Sequence, residues 1–352
     1  MIRRPQLYFP PSAQSAAPCT YTAHTIPKLP KTRAEVDIAA PWRETHDGER
    51  FLLFEDGEED KMLVFATDDQ LRVLQSASIV HGTFSACPHL WNQLYILHAR
   101  KGSITYPLVY ALMPDRRTTT YQRLFAQLKV HIQHLLNQPF NPETFQVDFE
   151  VPAIRALQIE FQGSDIKGCF FHFTQAIWRK TQELGLAVGY RDNPLVEQWI
   201  RRAAALPLLP LQQVQDAWID SMSQSPDVPN ADEFNDYILH AYEARFPLSL
   251  WNHHQTFGPS TNNNLEGFHS RLNASLNHRH PNLYRFIEII KKIEKSEKTE
   301  LSQLDLGAAP PARKRVYKEI DNRLSRLKDQ LSHGVKTPLQ FLDAVGKLLK
   351  MD

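Results

Sequence analysis

The sequence predicts an α/β fold: a mixed sheet flanked by helices, with an all-helical insertion and a helical C-terminal region. Three observations carry this. β-rich runs with short turns crowd the stretch before residue 115, strand-like and helical runs alternate between residues 118 and 185, and after residue 193 only helical periodicity remains. With 352 residues, 42% hydrophobic and 22% charged, the chain has ordinary globular composition, which excludes disorder throughout.

The elements follow in order. Residues 1–47 hold Pro5, Pro10, Pro11, Pro18, Pro27, Pro30 and Pro41 without a sustained apolar period, and read as a flexible arm. FLLF, the acidic turn EDGEEDK and MLVFA read as a β-hairpin. A helix follows near Thr67, Asp68 and Asp69, with Asp available as cap. The runs 77–84, 92–99 and 105–112 read as an antiparallel meander. TTTYQRLFAQLKVHIQHLL carries apolar residues at helical spacing; 143–149 reads as strand, VPAIRALQIEF as helix, 166–171 as strand, and TQAIWRKTQELG as a helix ending at Gly185.

This order, antiparallel strands extended by parallel ones through helical crossovers, is the ribonuclease H-like arrangement. The expected divisions are the arm to residue 47, a core over 48–192, a helical insertion over 193–258, core-completing helices over 259–298 and basic helices over 299–352. Helices are expected over 262–278, 281–298, 312–333 and 337–350.

The formal net charge is +1, but it is unevenly placed. Residues 1–264 carry 23 basic and 28 acidic side chains, and residues 265–352 carry 17 and 11. A cationic C-terminal quarter suits contact with phosphate and suits a solvated helical surface equally. Arg313, Lys314 and Arg315 form a short basic run of the nuclear-import type. Cys19, Cys87 and Cys169 cannot build a disulfide framework or a four-cysteine zinc site. No run approaches the roughly 18 apolar residues that span a bilayer, and the N-terminus has no apolar signal core, so a soluble intracellular chain without membrane contact is expected.

Chemistry in α/β sheets gathers at strand ends. Asp148 lies near one such end. By spacing alone it reads as a helix cap before a metal ligand, with Glu150 facing the helix dipole. In PSTNNNLEGFHSRLN, Glu266 falls early in a helix with His269 three residues on and Arg271 farther round, a pattern usual for solvated neighbours. Cys169 and His172 form a Cys-x2-His pair, two soft ligands where tetrahedral zinc needs four; a buried cysteine and a histidine at a helix start explain them as well. His98, His131, His134, His253 and His254 read as structural or exposed.

Taken as an ordered set, VHGTFSACPHLWNQLYILHA, PLVYALMPDRRTTTYQRLF, DFEVPAIRAL, GCFFHFTQAIWRK, ALPLLP, and WN followed by TNNNLEGFHSRLN resemble the MULE (Mutator-like element) transposase domain, from about Arg50 to about Ile290. The resemblance implies a ribonuclease H-like DDE core with a helical insertion before the last acid. It places the second acid on Asp148 and the third on Glu266, and matches Cys169 and His172 to the signature pair; His269 and Arg271, beside Glu266, are candidate phosphate contacts. Such carboxylates hold two Mg2+ or Mn2+ ions for in-line attack at phosphorus in DNA.

The first acid is missing. Where the family has Asp-Gly-Thr-Phe, this chain has His81, Gly82, Thr83 and Phe84. A carboxylate bridges two metals through two oxygens; neutral imidazole offers one nitrogen and prefers softer ions. The expectation is a transposase-derived chain with impaired cleavage, the alternative a non-catalytic DNA-binding or scaffolding protein working in the nucleus. With only Cys19, His24 and His46 before the core, no separate zinc module is expected there, so sequence-specific recognition of DNA ends calls for another chain or a region missing from this one; an oligomer or a separate DNA-binding chain is the expected partner.

Overall fold

Short apolar runs and longer helical apolar stripes build one seven-stranded mixed sheet covered on both faces. The computed structural model describes residues 27–85, 87–101, 104–240, 246–256, 263–276, 280–309 and 314–351. A short helix α1 (Ala40–Arg43) precedes the hairpin of β1 (Leu52–Asp56) and β2 (Met62–Phe65). Helix α2 (Asp68–Gln75) follows, then the meander β3 (Ile79–Ser85), β4 (Gln93–Lys101) and β5 (Ile104–Met113). Helix α3 (Thr118–Leu136) leads to β6 (Thr144–Val147), and α4 (Val151–Glu160) to β7 (Asp165–Gly168). Both late strands pair in parallel, β6 with β3 and β7 with β6, giving the order β1-β2-β5-β4-β3-β6-β7.

Side chains alternate across a strand, so each face has its own core. Val80, Leu97, Phe145 and Val147 meet Leu124, Phe125 and Leu157 of α3 and α4 on one face. On the other, Leu94, Ile96 and Leu112 meet α11 (Asn263–Leu276) and α12 (Leu283–Asp305) through Phe268, Leu272, Phe286 and Ile290. Between them in sequence lie α5 (Phe170–Glu183), α6 (Ala187–Asp192), α7 (Pro194–Ala205), two 3-10 turns (Leu206–Leu208 and Leu211–Gln213), α8 (Val214–Met222), α9 (Ala231–Leu239) and α10 (Leu248–Trp251). After α12 come α13 (Arg315–Ser332) and α14 (Pro338–Gly346).

Several expectations change. The expected arm is folded over residues 27–47: Val36, Ile38 and Trp42 are buried, Trp42 packs on Tyr284 with ring centroids 5.0 Å apart, and Lys291 Nζ donates to the Pro41 carbonyl at 2.6 Å. Three apolar side chains around Pro41 suffice to anchor a segment that shows no period. Thr67, not Asp, caps α2, in a reciprocal capping box with Gln70. The strand expected over 166–171 stops at Gly168, because Phe170, Phe173 and Ile177 bury at helical spacing and Phe173 N donates to the Cys169 carbonyl at 3.0 Å. Helix α12 runs on to Asp305.

The C-terminal helix α14 is docked on α7. Arg202 of α7 is 6% exposed and meets Asp343 of α14 at 2.5 and 3.1 Å. Lys291, Lys295, Lys298 and Lys328 are engaged internally, on the Pro41 carbonyl, Asp47, Glu49 and the His254 carbonyl.

Candidate functional site

The pleat brings the strand-end positions to one face. In the ladder, His81 stands opposite His98 on β4 and beside Gln146 on β6, and Gly82 beside Val147. Val80, Leu97, Phe145 and Val147 point to the α3 and α4 face, so His81, Thr83, His98 and Gln146 lie on the other. Asp148 directly follows β6, which ends at Val147. On this side Thr83 Oγ1 and His98 Nε2 hydrogen-bond at 2.9 Å, and Phe268 of α11 meets His98 edge-on at 5.1 Å. Helix α11 also carries Glu266 and His269, whose side chains lie outside the described residues; Arg271 is exposed, and its charge acts on Glu297 of α12.

His81 is 8% exposed, and its Nδ1 has no hydrogen-bond partner among the described residues. Burial, assisted by the Arg100 charge, lowers its pKa to about 4, so the ring is neutral at physiological pH. Its neighbour must be glycine, since a Cβ at Gly82 would run into the Tyr95 hydroxyl.

Asp148 is not a helix cap. The N-cap of α4 is Glu150, which makes no side-chain cap bond. Burial raises the Glu150 pKa, opposed by a hydrogen bond with the Tyr121 hydroxyl, while the Asp148 charge adds to the rise. Asp148 Oδ1 instead sits 2.7 Å from His172 Nδ1. Cys169, 1% exposed, is the N-cap of α5, which puts His172 on the first helical turn facing Asp148. One donor atom from each of Asp148, Cys169 and His172 lies within 4.8 Å of the other two, the one such group among the described residues. Burial alone would lower the His172 pKa, but the Asp148 carboxylate and Cys169 outweigh it and raise it well above the imidazole range.

Two supports have little or no sequence signal. A Cβ at Gly168 would meet the Phe149 ring, so glycine admits Phe149 between Asp148 and Glu150. His253 is buried, and its Nε2 donates to the Gly168 carbonyl at 2.7 Å, tying the end of the helical insertion to the turn that presents Cys169. Asn252 and His254 fasten the same segment to the Leu209 and Leu208 carbonyls at 2.8 and 2.9 Å. The run WNHH after a helical stretch was its trace in the sequence.

Residues 82–176 match the family model of the MULE transposase domain. The match opens one residue after His81 and contains Asp148, Cys169 and His172; Glu266 lies beyond it, so the matched span is narrower than the resemblance from Arg50 to Ile290. No curated protein matches the chain. Among the described residues, no helix is long and apolar enough to cross a membrane.

Proposed function

From the MULE transposase domain that residues 82–176 match, we propose that this chain is a transposase derivative whose ribonuclease H-like core has reduced or lost DNA strand cleavage. The observation that carries the proposal is His81: a neutral, buried imidazole on β3, in register with the strand that leads to Asp148, where the resemblance places the first acid. Two-metal phosphoryl transfer needs oxygen donors that offset the charge of a pair of hard cations. The described donors do not fit such a pair. His81 supplies no negative charge, and Asp148 is held against His172. No catalytic step is therefore assigned through Mg2+ or Mn2+.

The test is nicking of supercoiled DNA across a divalent-ion titration. The unmodified chain is expected to stay at background and His81→Asp to gain Mg2+-dependent cleavage; strong Mg2+-dependent cleavage by the unmodified chain overturns the proposal.

DNA remains the proposed partner and the nucleus the proposed setting, with binding rather than cleavage as the second reading. Exposed Arg271 favours it, but Arg315 pairs with Glu319 and the engaged lysines of α12 and α13 leave fewer cations for phosphate than the charge count suggests. Retention on duplex DNA should fall steeply as salt rises; equal retention at low and high salt removes phosphate contact from the account.

A further inference from the structure

We propose that Asp148, Cys169 and His172 form a site for one transition-metal ion of the Zn2+ class. The donor set is a carboxylate oxygen, a thiol sulfur and an imidazole nitrogen, the mixture that borderline-soft ions select and hard Mg2+ does not. The three donor atoms lie within 4.8 Å of one another. Around a tetrahedral zinc with ordinary bond lengths, donors stand about 3.4–3.6 Å apart. The Asp148 to His172 separation of 2.7 Å has only to open by under about 1 Å, within the reach of side-chain rotation.

The backbone holds the donors in place. Cys169 N donates to the Val147 carbonyl at 2.8 Å, locking the start of α5 to the end of β6, and His253 grips the neighbouring Gly168 carbonyl. Cys169 forms a buried floor, whereas the His172 and Asp148 side chains are 34% and 17% exposed, leaving a path for the ion and a fourth position for water. The ion would pin β6 to α5, and it would occupy the carboxylate that the proposed function assigns to the second acid of a hard-cation pair.

The site is tested on the full chain without DNA. Zn2+ is titrated into metal-stripped protein against a chromophoric chelator, and Co2+ substitution reports sulfur ligation through its thiolate-to-metal charge-transfer band. One ion per chain is expected. Cys169→Ser should abolish the band and weaken Zn2+ by at least about 100-fold, since even outer-shell losses cost about 10–100-fold. His172→Gln should weaken Zn2+ comparably and serves alone if Cys169→Ser changes the far-UV circular dichroism. Cys19→Ser and Cys87→Ser should change neither band nor affinity. Absence of stoichiometric Zn2+ binding, or an unchanged band and affinity in Cys169→Ser, overturns the proposal. Nicking is not read, so this result and the result for His81 stand or fall separately.

Discussion

Replacing His253 by alanine should loosen the strand-end site from a distance. The imidazole is 3% exposed, donates to the Gly168 carbonyl at 2.7 Å, lies 3.3 Å from Thr256 Oγ1 and stands edge-on to Phe170 at 5.8 Å. Loss of the hydrogen bond costs about 1–1.5 kcal/mol, and the cavity left by the ring adds about 2 kcal/mol, so the variant should lose roughly 3 kcal/mol. His253→Gln, which retains a donor and much of the volume, should lose about 1 kcal/mol. Urea unfolding measures the loss, and peptide-mapped alkylation under native conditions measures its locality. Cys169, adjacent to the freed carbonyl, should be modified faster in His253→Ala, while Cys87, buried in the opposite core, should keep its rate. A stability change under about 0.5 kcal/mol, or equal acceleration at both cysteines, would refute the clamp.

Other perturbations reach different parts of the account. His253 also makes stability depend on pH: burial, opposed by the Gly168 hydrogen bond and aided by the Lys167 and Lys328 charges, lowers its pKa to about 4 against 6.5 when unfolded. The unfolded ring therefore binds its proton first, stability falls as pH drops from 6.5 toward 4, and denaturation in His253→Gln should show a shallower fall over that window. Glu294 is 3% exposed, and burial raises its pKa to about 7. Its folded form resists ionising, so wild-type stability is lost as pH rises from 4.5 through 7, and Glu294→Gln should gain roughly 1–3 kcal/mol relative to wild type between pH 5 and pH 8.5. Asp343→Ala leaves the buried Arg202 with only Gln224 as side-chain partner among the described residues and should cost about 2–4 kcal/mol in thermal or urea unfolding, detaching α14 first in hydrogen exchange.

Much of the sheet was legible because its signals are local. The meander strands are short β-rich runs bounded by turn residues, and α3 carries an unbroken helical stripe over the same Thr118–Leu136 that the sequence marks. Over Cys169 to Phe173 the sequence does not separate strand from helix, because CFFHF is apolar at both periods, and only the core it touches decides for a helix. Residues 27–47 were missed because their anchoring comes from distant partners, Tyr284 and Lys291. Residue types at the site could be read from the motif, but the convergence of Asp148 on His172 depends on the β6 and β7 register, which one sequence does not display. The His253 contact with Gly168 joins residues 85 apart in the chain, and no local pattern encodes it.

The central claim is that His81 prevents a pair of hard cations from assembling. Mn2+ binding to the full chain, followed by the loss of the free-ion electron paramagnetic resonance signal, tests it most directly. At most one Mn2+ per unmodified chain is expected, and two per chain in His81→Asp, which restores a carboxylate at the position of the first acid. Two Mn2+ ions bound by the unmodified chain would contradict it.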